Sequence, residues 1–249
     1  MRFEAGAAEQ HLVRMALQIK KDTTSQYSEL MPVRPCLPIP FFGPVARARV
    51  ITFGLNPSSG EFAKKRNWSR VTEDELPVEL VNYWNSETRK PHSWFQPWET
   101  VLSELGVSYT SNAAHIDLSP RATNCRKGEL RALFISMLQT DAAVWIEALR
   151  CAPNCKLILA AGSATNDAKG YINEFISNRL PGEMGVRLIG PWSRRKGEGQ
   201  TAHHTIAIRG GPEIPFFFCS TGPSRSGTVL INACLENIGK LKQHLAFDS

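Results

Sequence analysis

Val50-Ile51-Thr52-Phe53-Gly54-Leu55-Asn56-Pro57-Ser58-Ser59-Gly60-Glu61-Phe62 runs from a β-rich apolar segment straight into a polar turn. Val50, Ile51 and Phe53 favour a buried strand, Gly54 bounds it, and Asn56-Pro57-Ser58 is turn chemistry. Such a turn at the carboxyl end of a sheet strand holds short polar side chains over a crevice, where open α/β sheets bind ligands. A plain structural turn has the same local signature, so the neighbouring segments decide between the two.

Upstream, Leu12, Met15, Ala16 and Ile19 fall at helical spacing within residues 8–30. Pro32, Pro35, Pro38, Pro40 and Gly43 follow, so residues 1–44 read as an N-terminal helix and a Pro-rich connector into a strand at 48–53. Downstream, residues 63–92 are polar, charged and aromatic with weak periodicity, which predicts an insertion with one short helix near 73–84. Trp94 to Leu105 is an amphipathic helix ended by Gly106. A second strand is predicted over 108–118, a helix over 127–150, a buried strand from Lys156 to Ala161 stopped by Gly162, and a helix over 163–179. Strands at 203–209 and Pro215–Ser220 and a closing helix at 226–245 complete the chain. This alternation predicts a single α/β domain over 1–249, a three-layer helix-sheet-helix with a mostly parallel, four- or five-stranded central sheet.

With 249 residues, 42% of them hydrophobic, the chain can bury one sizeable core. No stretch is read as approaching the roughly 18 apolar residues that span a bilayer, and Met1-Arg2-Phe3-Glu4 lacks a signal pattern. The expectation is a cytoplasmic monomer with no membrane partner. Six cysteines are scattered without a Cys-x-x-Cys, and Cys151 and Cys155 flank Pro153, so reduced, mostly buried thiols are expected. His203-His204 lack a third ligand, and neither a metal nor a cofactor is expected. A net charge of +6 and a pI near 9.1 permit a polyanionic partner. Lys64-Lys65-Arg66 with Trp68 and Arg70, and Arg194-Arg195-Lys196 beside Trp192, set cations for phosphates next to aromatics for unstacked bases. Solvated loops with packed tryptophans are the competing reading.

Four segments, in order, resemble the uracil-DNA glycosylase superfamily. Gly54-Leu55-Asn56-Pro57 is similar to its first signature turn, and Tyr109-Thr110-Ser111-Asn112 to the strand whose asparagine reads the base edge. That strand leads into Asp117-Leu118-Ser119-Pro120-Arg121-Ala122-Thr123, which resembles the approach to the third helix in mismatch-type members. Lys156 to Ser163 matches a strand-Gly-helix unit, and Ser220 to Gly227 stands where the second signature motif, usually His-Pro-Ser, precedes the last helix. The likeness implies DNA as partner, and a monofunctional glycosylase that flips out a nucleotide, hydrolyses its N-glycosidic bond and leaves an abasic site. Some members carry an iron–sulfur cluster, which this cysteine spacing does not support. By this likeness Asn56 positions the attacking water, Asn112 reads the base, and Gly54, Ser58 and Phe62 line the base pocket. His115 and Asp117, alternating on one strand face, could polarise a water or bind substrate; a histidine satisfied by its neighbours is the alternative. Pro223, Ser224, Arg225 and Ser226 would meet the DNA near the extruded nucleotide, with Lys64, Lys65, Arg66, Arg194 and Arg195 adding salt-dependent affinity.

Two departures shape the expected substrate. Gly222 replaces the usual histidine of the second motif, which removes a side-chain donor to the base carbonyl. Ser58 stands where the classical uracil enzymes carry a tyrosine against C5, so a C5 substituent fits. The insertion, with Trp68, Tyr83, Trp84, Arg66, Arg70 and Arg89, is read as a wall for a larger cavity. The expected substrate is a modified pyrimidine, with a bulky C5-modified cytosine of phage DNA, and hence a role in antiviral defence, as the sharpest form. Uracil or mismatch repair, and a DNA-binding member that has lost catalysis, are the alternatives. Gly222 to Thr228 lacks the lysine of a P-loop, and Gly162-Ser163-Ala164 lacks the second glycine of a nucleophile elbow.

Overall fold

The computed structural model describes residues 2–30, 36–57, 68, 71–86, 91–123, 130–162, 172–195, 200–221 and 223–246, without the side chains of 192–195 and 223–226. Its strands are β1 (Val50–Gly54), β2 (Ala113–Asp117), β3 (Leu157–Ala161), β4 (Val186–Arg195), β5 (Thr201–Ile208) and β6 (Glu213–Cys219). They form one sheet in the order β2-β1-β3-β6-β5-β4. The first four of that order run parallel, and β5 and β4 continue it antiparallel.

The sheet is thus mixed and six-stranded, where four or five strands were expected. The sequence reading passes over β4 because Gly190-Pro191 interrupts its strand pattern. An edge strand tolerates that proline, since its outer side has no ladder bond to lose, and the register with β5 shifts between Ile189 and Ser193. The predicted strand over 108–118 begins only at Ala113, because Ser108 to Asn112 form a turn closed by Ala113 N–H on the Ser108 carbonyl.

Every residue of β1, β2 and β3 is buried, the pattern of strands covered on both faces. Phe53 meets Trp145 edge-on, with ring centroids 5.4 Å apart, while its neighbour Thr52 turns to the opposite face and bonds Tyr109 and His115. The helices that flank the sheet are α1 (Ala7–Thr23), α2 (Leu76–Val81), α3 (Gln96–Glu104), α4 (Arg131–Arg150), α5 (Ile172–Asn178), α6 (Pro223–Leu235) and α7 (Ile238–Leu245). Of these, α1 packs on α4 and α3 on α6. Gly227 permits the second contact, because a Cβ there would come within 2.6 Å of Pro97 Cγ. The closing helix expected over 226–245 is broken at Asn237, whose Nδ2 donates to the Ala233 carbonyl and ends α6.

By length and composition alone α4 could cross a membrane, a feature the composition reading overlooked. Here it is a core helix that buries Phe134, Met137, Leu138, Trp145 and Leu149. The aromatics of the insertion also depart from expectation. Trp68 and Tyr83 are core residues rather than walls of an open cavity, stacked 6.2 Å apart, and Trp84 stacks on Tyr109 at 4.2 Å. Arg66, Arg70 and Arg89 lie outside the described residues.

The carboxyl ends of β1, β2, β3 and β6 share one edge of the sheet. The chain steps from β1 outward to β2, then crosses back over β1 to β3. The crevice outside β1 and β3 is therefore a topological switch point, the general location of ligand sites in such sheets.

Candidate functional site at the carboxyl edge

Asn56 emerges from β1 at that switch point and is 8% exposed. Its Nδ2 donates to the Arg121 carbonyl at 3.0 Å, to Thr123 Oγ1 at 3.1 Å and to the Pro57 carbonyl at 3.3 Å. Two of these acceptors are carbonyls, which only the amide nitrogen can satisfy, so the assignment of N and O is determined. Asn56 Oδ1 points away from them, buried and without a hydrogen-bond partner among the described residues. An unpaired buried acceptor costs about 1–3 kcal/mol, and a water or substrate donor would relieve it.

The segment that grips Asn56 is itself anchored. Ser119 Oγ accepts from Arg121 N–H at 3.1 Å and donates to Asp141 Oδ2, while Arg121 Nη2 donates to Asp141 Oδ1 at 2.7 Å. Arg121 and Asp141 are both buried, and the guanidinium also lies over the Tyr27 ring. Burial pushes the Asp141 carboxyl up, against the opposing pull of Arg121 and of the Ser119 hydroxyl. A buried ion pair between Arg121 and Asp141 of helix α4 thus anchors the 119–123 turn, and that turn holds Asn56.

His115 and Asp117, on the same face of β2, are brought together: His115 Nε2 lies 3.2 Å from Asp117 Oδ1, and both are buried. On the other side of the ring, His115 Nδ1 is 2.8 Å from Thr52 Oγ1, which also bonds the Tyr109 hydroxyl. Asp117 offers His115 Nε2 only acceptors, so Nε2 carries the ring proton and donates it to Asp117, and Nδ1 accepts from Thr52. Burial raises Tyr109 well above an ordinary tyrosine, so it stays a phenol whose proton is left for Thr52 Oγ1. The single Thr52 proton thus goes to His115 Nδ1 rather than to the Ala114 carbonyl, 3.5 Å away. The sequence showed the alternation of His115 and Asp117 but not this relay, because Thr52 and Tyr109 approach from other segments.

Gly54 is needed for close approach. A Cβ there would fall 2.3 Å from Asp117 Oδ1 and 3.0 Å from His115 Cε1, so the pair leans across the bare backbone of β1. Trp94 joins this layer edge-on to His115 at 5.1 Å and stays partly exposed, which makes it an available aromatic surface. By sequence it marks only the start of a helix. Its signal is an aromatic in the turn before α3, and Thr123, another addition, is marked only as the end of the Asp117–Thr123 segment.

Asn112 is not part of this constellation. It precedes β2 and so sits at the amino edge, five residues or roughly 16 Å from Asp117 at about 3.3 Å per residue. Its Oδ1 already accepts from Ser108 N–H at 3.1 Å and from Ser111 Oγ at 3.0 Å. Treating Tyr109–Asn112 as strand moved this asparagine to the wrong end of β2. Ser58, Phe62, Lys64, Lys65 and Arg66 lie outside the described residues.

The backbone of Pro223, Ser224, Arg225 and Ser226 forms the first turn of α6, so these residues open a helix rather than a loop. That turn follows the carboxyl end of β6. Arg194 and Arg195 end β4, and the registers Arg195↔Thr201 and Thr201↔Cys219 bring them to the same edge of the sheet as Asn56. Four strand spacings of about 4.8 Å put them roughly 19 Å from β1. The thiols behave as expected: Cys36, Cys151, Cys155, Cys219 and Cys234 form no disulfide among the described residues, and burial pushes Cys155 up to about 12. Cys125 lies outside the described residues. No family model and no curated protein matches this chain.

Proposed function

We propose that the protein is a monofunctional DNA glycosylase that removes a modified pyrimidine. The carrying observation is Asn56: its amide nitrogen is held by three acceptors while its buried Oδ1 is left open at the switch point. In the proposed reaction the bond between sugar carbon and base breaks with its electron pair on the base. Water held by Asn56 Oδ1 adds to that carbon, its proton ends on the departing base, and an abasic site remains. An amide is a weak base, which suits a water captured late by an oxocarbenium-like sugar.

The surroundings support a nucleic-acid substrate. The first turn of α6 opens at the carboxyl edge, and a helix N-terminus is favourable for a phosphate. Arg194 and Arg195 at the same edge suit a more distant stretch of backbone. Trp94 offers a face on which an extruded base could stack. The serine at position 58, in place of a tyrosine, suits a C5 substituent, and a bulky C5-modified cytosine in a defence role is the sharpest form of the reading.

The test is mass spectrometry of free bases released from DNAs containing ordinary and modified pyrimidines. Release by the native chain, lost in Asn56→Ala with DNA binding retained, supports the enzyme. Binding without release from any substrate favours a non-catalytic DNA-binding protein. Borohydride trapping of a protein–DNA adduct would reveal a Schiff base and overturn the monofunctional mechanism.

A further inference from the structure

With Asn112 at the opposite edge, Asp117 ends β2 in register with Gly54, two residues before Asn56, and His115 lies beside it. Asp117 is 7% exposed. Its Oδ1 takes the His115 Nε2 proton, and no described residue donates to its Oδ2. A carboxylate only accepts hydrogen bonds, so a mostly buried one with a free oxygen is matched by a ligand N–H. The Tyr109–Thr52–His115 chain keeps the imidazole a donor toward Asp117, which holds the carboxylate in place as an acceptor. Gly54, lacking a Cβ, leaves the carboxylate room to lie across the end of β1.

On the exposed pairing edge, cytosine presents a 4-amino donor beside a bare N3, whereas uracil and thymine present a 4-carbonyl beside an N3–H. An acceptor set against position 4 therefore suits cytosine. A carbonyl there would face the carboxylate lone pair to lone pair. We infer that Asp117 is the specificity-determining residue, selecting pyrimidines of the cytosine class over those of the uracil class. The inference rests on the glycosylase reading and deepens it.

The experiment uses oligonucleotides that differ only at the 4-position: 5-hydroxymethylcytosine against 5-hydroxymethyluracil, and cytosine against uracil. Base release is followed for the native chain and for Asp117→Asn, whose amide can donate to a 4-carbonyl. The native chain should favour the amino member of at least one pair by about 10-fold or more, and Asp117→Asn should shift that ratio toward the carbonyl member by a similar factor. Native release that is equal within each pair, or faster from the carbonyl member, overturns the inference while leaving the glycosylase standing. Equal loss on both members in a folded Asp117→Asn also overturns it, by making Asp117 part of the chemistry. Should that variant fail to fold, the native ratio alone decides. No release from any DNA removes the glycosylase reading and the inference with it.

Discussion

Two asparagines near opposite ends of one parallel strand pair behave in opposite ways. Asn56, beyond the carboxyl end of β1, spends its nitrogen on the 119–123 turn and keeps a buried oxygen open. Asn112, before the amino end of β2, spends its oxygen on Ser108 and Ser111 and stabilises a local turn. The same amide keeps an open acceptor in one place and is used up by its own loop in the other. Strand direction makes the difference: the parallel strands deliver their following turns to one edge, which is where such sheets place ligand sites.

The contrast depends first on the support behind Asn56. Asp141→Ala leaves Arg121 an uncompensated buried charge, so we expect a loss of about 3–5 kcal/mol in urea unfolding. A much smaller loss would mean that the 119–123 turn is held by something else. Next, Asn56→Ala should lower base release by about 10²-fold, since displacing a reacting group by an ångström can cost that much. Its urea midpoint should move far less than that of Asp141→Ala. Asn112→Ala should do the reverse, losing about 1 kcal/mol of stability with the turn bonds and leaving release unchanged. Loss of release with native stability would restore Asn112 to the site.

The smallest effect concerns pH. Desolvation lowers the His203 imidazole below 6.5, opposed by its bond to Asn237, with Lys240 and His244 adding to the lowering. The unfolded chain therefore takes up a proton before the folded one does. This contribution is full above 6.5 and is lost as pH falls through 6.5 toward the lower folded value. Urea midpoints across that range should decline slightly, and His203→Gln should flatten the slope. An unchanged slope would assign it to other groups.

Periodicity and turn chemistry determined much of the molecule. Val50 to Phe53 and Leu157 to Ala161 are strands because β-branched and apolar runs between glycines have few other places to go. The α3 helix ends where Gly106 adopts a φ of +73°, as the sequence marks. Asn56 and the His115–Asp117 alternation were also visible, since both are local patterns. What the sequence could not reveal depended on partners far along the chain. Gly190-Pro191 obscured β4, whose acceptance at the sheet edge is a property of the whole sheet. The β-prone string Tyr109 to Asn112 became a turn through bonds to Ser108, which took Asn112 out of the site. Only the fold joined Arg121 to Asp141 and Tyr109 through Thr52 to His115, because hydrogen bonds between distant residues follow from packing. A chain pattern specifies which groups are polar; burial and the direction of the strands decide which are left with an open valence.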